Sequence, residues 1–191
     1  MVTDYRINAY LRDSDDIYVN LYIPSTVRWA QQGAQVSLTQ RSAYPFESTV
    51  VFEVESSIPR EFGLNFRIPE WAGGAAIAVN GKRVQGPPIL GQFATVRQQW
   101  KTGDHIEVEL PLTKRLEAIG RHHPKTVALL SGPLVLFAIT EKATPMTSQQ
   151  LLAARKSGPQ NWRVETDAET LNMRPFTAIE DEQYSTYLKI R

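Results

Sequence analysis

Apolar and polar residues alternate with period two through most of this chain. Tyr5, Ile7, Ala9 and Leu11 recur at every second position, and Ile17, Val19, Leu21 and Ile23 do so again after the polar run Arg12-Asp13-Ser14-Asp15-Asp16. Strand side chains point alternately to two faces, so two such runs around a polar turn predict a β-hairpin. Residues 4–11 also fit a helix, and the pattern leaves the two open. Val36 and Leu38 mark a strand over 35–40, and Val50, Phe52 and Val54 line one face of 49–55. Phe62, Leu64, Phe66 and Ile68 line another before Pro69 stops the run. Residues 75–79 lead into Asn80-Gly81, the dipeptide of a type I′ turn, in which both central residues need positive φ. Strands over 93–100 and 105–110 flank Lys101-Thr102-Gly103-Asp104, and Pro111 closes the second.

The remainder changes character. Residues 126–130 and 133–139 read as apolar strands around Ser131-Gly132, and 162–165 and 184–190 as further strands. One helix is expected over 148–156, with Thr147 at its N-cap, Gln150 completing a capping box, and Gly158-Pro159 as the stop. Short strands at this spacing predict an all-β fold of two antiparallel β-sandwich units, with the one short helix in the second. The polar stretch over 115–125, with Lys114 just ahead of it, marks the boundary. The first sandwich is therefore expected over 1–118 and the second over 119–191.

Composition narrows the function classes. A chain of 191 residues can bury a sizeable core. Twenty-one basic and twenty acidic side chains leave a formal charge of +1, so no global field attracts nucleic acid or acidic lipid, and neither is expected as a partner. No apolar run reaches the 18 residues of a membrane span; the longest, near 127–139, is broken by Ser131, Gly132 and Pro133. The opening MVTDYRINAY has no apolar signal-peptide core. Cysteine is absent, which excludes disulfides, thiolate nucleophiles and cysteine metal sites from this chain.

Several segments, in chain order, carry a resemblance: IYVNLYIPSTVRW, LTQRSAYPFESTVVFEVE, FGLNFRIPEWA with the following VNGK, WKTGDHIEVELP and VALLSGPLVLFA. Together they resemble the C-terminal portion of glycoside hydrolase family 127, which contains β-L-arabinofuranosidases and was long catalogued as a domain of unknown function. PFTAIEDEQYSTYLKI is similar to the last strands of some bacterial members. The resemblance implies an (α/α)6 catalytic barrel ahead of the sandwiches. In that barrel a zinc ion is bound by cysteines and a glutamate, one cysteine is the nucleophile and a glutamate the general acid. A chain without cysteine carries none of these positions, so no catalytic residue and no cofactor is expected here, and the barrel's zinc has no ligands in it. The resemblance thus implies a non-catalytic accessory region of a bacterial arabinofuranosidase, truncated downstream of the chemistry. Residues 1–12 would be the tail of the missing barrel, with Met1 supplied by an expression vector. The expected partner is the catalytic barrel of the same polypeptide, and after it arabinose-containing glycans.

Candidate chemistry in the residues themselves is sparse. Glycoside hydrolysis generally uses two carboxyl groups flanking the scissile bond. Glu53, Glu55, Glu107 and Glu109 alternate with apolar residues and read as solvated strand faces, while Glu180-Asp181-Glu182 reads as a charged turn. His122-His123 and the distant His105 fall short of a zinc ligand set and read as surface positions. Ser131-Gly132 lacks the context of a nucleophile elbow. Trp29 and Trp71, at apparent strand-to-loop transitions, and Tyr44, in the loop Tyr44-Pro45-Phe46, are the candidates for carbohydrate or interdomain contact, because aromatic rings stack on the C–H faces of sugars and also dominate interfaces. If they grip a glycan, the region is a carbohydrate-binding module. Trp100 reads as core.

Overall fold

The computed structural model describes residues 8–191, so residues 4–7 of the first expected strand lie outside the described residues. Backbone contacts divide the chain after Pro111 into two compact units.

The first unit is built from β1 (Tyr10–Arg12), β2 (Asp16–Val19), β3 (Ser25–Gln31), β4 (Ala34–Arg41), β5 (Thr49–Ser56), β6 (Arg60–Arg67), β7 (Ala76–Val79), β8 (Lys82–Arg83), β9 (Phe93–Trp100) and β10 (His105–Glu109). They form a four-stranded sheet, β1-β2-β6-β9, and a six-stranded sheet, β3-β4-β5-β10-β7-β8. The alternating apolar positions form the core between them: Phe62, Leu64 and Phe66 of one sheet, Leu38, Phe52 and Ile106 of the other, all fully buried. A hairpin forms around the expected turn but with shorter arms, Tyr10 opposite Val19 and Leu21 and Ile23 outside it. The turn at Asp13 to Asp15 is held by the Asp13 carboxylate accepting from the backbone N–H of Asp15 and Asp16. Asn80 and Gly81 adopt φ of 49° and 76°, as the type I′ turn requires. One pairing departs from the antiparallel expectation. β2 runs parallel to β6, with Asp16 opposite Gly63.

The second unit comprises β11 (Lys114–Ala118), β12 (Thr126–Ser131), β13 (Leu134–Ala138), α1 (Ser148–Leu152), β14 (Arg155–Gly158), β15 (Asn161–Glu165), β16 (Thr170–Pro175), a 3₁₀ turn (Phe176–Ala178) and β17 (Leu188–Lys189). A single seven-stranded antiparallel sheet runs β11-β12-β13-β16-β15-β14, with β17 against β12. The sheet curls, because α1 touches both β11 and β15 and the Lys114 ammonium donates to the Ala154 carbonyl at 2.5 Å, just before β14. One folded sheet thereby supplies both facing layers, and Leu129, Leu136, Val164 and Met173 meet Met146 and Leu151 in its core.

Three departures from the sequence reading have physical causes. The helix ends at Leu152 rather than 156, because residues 155–158 pair with β15 instead, and a sheet partner outweighs weak local propensity. β11 lies inside a stretch read as a polar connection; it is an edge strand with few apolar residues, and its Leu116 pairs with Leu129. The expected strand over 184–190 contracts to β17 plus two isolated bridges, Ser185 to Ala138 and Ile190 to Met146.

The capping box forms as expected: the Gln150 backbone N–H donates to Thr147 Oγ1 at 3.1 Å and the Thr147 N–H to Gln150 Oε1 at 2.8 Å. Thr147→Ala is expected to cost about 1 kcal/mol, read as a shifted urea midpoint with unchanged slope. A change below about 0.3 kcal/mol would mean the tertiary contacts of Leu151 hold this short helix without its cap.

Candidate functional site

The aromatic candidates take different positions. Trp29 is not at a strand end. It lies within β3, only 8% exposed, edge-on to Phe62 at 5.6 Å, with its indole N–H donating to Gln31 Oε1 at 3.2 Å. No ring face is left for a ligand. Val27 and Trp29 alternate with Thr26 and Arg28, so β3 follows the same period as its neighbours, and that alternation placed Trp29 inward. Tyr44 and Trp71 are half-buried in loops and pack against the core of the first unit. Tyr44 meets Tyr22 edge-on at 5.6 Å. Trp100 is fully buried, its indole N–H donating to the Phe62 carbonyl at 3.0 Å.

Burial pushes the Tyr44 phenol up to about 12, opposed by Arg67, and raises Tyr22 further still. The Tyr22 hydroxyl donates to the Arg67 carbonyl at 2.7 Å. Both groups stay protonated in the folded chain where the unfolded chain already ionises, near pH 10. The unfolded state then binds fewer protons, so stability is full below about pH 10 and falls as pH rises toward 12. Urea midpoints measured across that range should fall, and Tyr44→Phe should flatten the fall.

The carboxylates are individually engaged. Glu53 pairs with Arg41 at 3.0 Å, Glu55 accepts from the Ser37 hydroxyl at 2.9 Å, and Glu107 lies 3.6 Å from His105 Nε2. All four strand glutamates are exposed on the face of β5 and β10 opposite Phe52 and Ile106. Glu107 and Glu109 share a shallow depression, but they project side by side from one strand. A sugar would meet both from below rather than lie between them, which is what acid–base cleavage needs. Glu182 binds Arg174 at 2.5 Å, and backbone N–H groups, foremost that of Glu180, hold its carboxyl below the usual range. His122 and His123 are exposed in a turn. Among the described residues no three His, Asp or Glu side chains converge on a point.

The most developed polar cluster escaped the sequence reading. On the four-stranded sheet Asp16, Gly63 and Arg97 fall in one row across β2, β6 and β9. The Asp16 carboxylate crosses the side-chain-free Gly63, accepts its N–H at 2.9 Å and pairs with Arg97 beyond. In the next row Asn65 donates to the Ile17 carbonyl and accepts from Thr95, and Tyr18 meets the exposed Phe93 edge-on at 5.3 Å. These groups satisfy one another and stitch the parallel pair together. In the second unit Phe137 contacts two exposed rings, Phe176 at 6.0 Å and Tyr184 at 5.3 Å. Phe137 is at least 39 residues from either partner, which hid the contact in the sequence.

Solved structures share this fold. A GH127 β-L-arabinofuranosidase from Geobacillus stearothermophilus T6 superposes with a TM-score of 0.77 at 21% identity, over 95% of this chain and 35% of that one. A glycoside hydrolase follows at 0.76 and 22%, over 95% and 37%, and a GH127 β-arabinofuranosidase at 0.72 and 20%, over 96% and 36%. This chain thus spans little more than a third of the length of each. No curated protein sequence matches. The family model of the β-L-arabinofuranosidase GH127 middle domain matches residues 16–112, which takes in the whole two-sheet core of the first unit. With just over half of its residues so matched, this chain belongs to glycoside hydrolase family 127 and contains the family's middle domain.

Proposed function

We propose that this chain is a non-catalytic β-sandwich region that supports the catalytic domain of a family-127 β-L-arabinofuranosidase acting on arabinose-containing glycans. The match of residues 16–112 to the family's middle domain carries the reading. Two further observations support it. The strand carboxylates project from a flat sheet face, where no pair of them brackets a bond. The two-sheet core is continuous and large, which suits a rigid support better than a cleft that must open to admit substrate.

Two measurements test this. An aryl β-L-arabinofuranoside incubated with the chain should be cleaved no faster than in buffer; turnover that scales with protein and disappears in Glu107→Gln would overturn the non-catalytic reading. A separately produced family-127 catalytic domain mixed with this chain should co-elute with it and gain several degrees in Tm, as a partner that binds only the folded state produces. Independent elution with unchanged Tm would remove the supporting role.

A further inference from the structure

We propose that the outer face of the β14–β15 hairpin binds a carboxylate-bearing glycan, with Arg155 and Arg163 holding the carboxylate. This goes beyond the supporting role above and does not depend on it. Arg155 and Arg163 stand directly opposite each other in the antiparallel register. Like charges so placed repel and destabilise the pair of strands. Both side chains are exposed, and among the described residues neither guanidinium has a carboxylate oxygen within ion-pair distance. No direct ion pair among the described residues offsets the repulsion.

An edge strand often carries a basic residue to block pairing with another chain, and that accounts for Arg155 on β14. It does not account for Arg163, which lies one strand inside the edge. A third cation adds to the field. The Lys114 ammonium reaches the Ala154 carbonyl, and burial first, then Arg155, holds its pKa below the ordinary lysine value. Charge is also unevenly distributed along the chain: residues 112–191 hold eleven Lys and Arg against eight Asp and Glu, whereas residues 1–111 hold ten against twelve.

The two guanidinium groups line a cleft of about 290 Å³ with Ala153, Ser157 and Glu165. Planar guanidinium forks match the two oxygens of a carboxylate. Glu165 discriminates among anions. Its Oε2 accepts the Thr170 hydroxyl at 2.6 Å, and its carboxylate would repel a bare oxyanion. A uronic acid instead offers hydroxyl donors to Glu165 and to Ser157 while its carboxylate meets the arginines. The cleft has room for a ring-sized group, not for a protein element.

The test is a chemical-shift titration of the whole chain with trigalacturonate, a neutral trisaccharide and sulfate at about 50 mM NaCl, repeated near 200 mM. Trigalacturonate is expected to saturate in the millimolar range, shifting Arg155 and Arg163 and their neighbours, and to weaken several-fold at the higher salt. Arg155→Gln and Arg163→Gln should each reduce affinity by about tenfold, and without ligand each should keep or raise Tm because a repulsion is removed. Sulfate or the neutral sugar binding as well as trigalacturonate would overturn the proposal. So would undiminished binding by either variant, or the absence of saturable binding. A fall in ligand-free Tm in both variants would also overturn it, since the arginines would then be supports of the sheet.

Discussion

Replacing Trp100 with alanine is expected to cost about 3–5 kcal/mol of unfolding free energy, the range found for deleting a large buried aromatic side chain. Trp100 ends β9 fully buried, against Phe62 with ring centroids 6.2 Å apart. Its removal opens a cavity beside Phe62, which lies within one close-packed core and has little freedom to collapse into it. It also strips the Phe62 carbonyl of the indole donor. Trp100→Phe should recover most of the packing but not the hydrogen bond, and so fall between wild type and alanine. Urea unfolding followed by far-UV circular dichroism gives both values. A cost near 1 kcal/mol for the alanine variant would show that the core relaxes around the gap.

Gly63→Ala should be nearly as damaging, although it adds only a methyl group. A Cβ at residue 63 would sit 2.7 Å from Cγ and both oxygens of Asp16. Asp16 is short and mostly buried, with a side-chain exposure of 15%, and its Oδ1 is held by both the Gly63 N–H and Arg97, so it cannot swing aside cheaply. Overpacking of this kind costs about 1–3 kcal/mol, and losing a charge-assisted hydrogen bond adds about 1.5–3. The attribution is checked by a double-mutant cycle with Asp16→Ala. With the carboxylate gone, Gly63→Ala should cost much less, giving a coupling of at least about 1 kcal/mol. Additive costs would place the damage in the backbone of β6 and not in the crossing of Asp16.

Much of the local structure was legible because it depends on neighbours in the chain. The alternation of Val50, Phe52 and Val54, or of Phe62, Leu64 and Phe66, announces a strand and its buried face wherever that strand finds a partner. The I′ turn at Asn80-Gly81 and the capping box at Thr147 are decided by a few adjacent residues, and both formed. Elements failed where the signal was weak locally. β11 has little apolar content, and residues 155–156 have helical propensity that pairing with β15 overrides.

The candidate sites were far less legible, because each is a row across strands. Asp16, Gly63 and Arg97 are separated by 47 and 34 positions. Arg155 and Arg163 are close in sequence, but their direct opposition depends on the register that follows from a strand in place of the helix. The sequence by itself determined an all-β chain without cysteine chemistry, its turns, its capped helix start and most of its buried faces. Tertiary structure alone decided that β2 runs parallel to β6, that one sheet curls to make the second core, and which charges meet. Periodicity says which way a side chain points. Only pairing, whose free energy is shared between segments far apart, says what it points at.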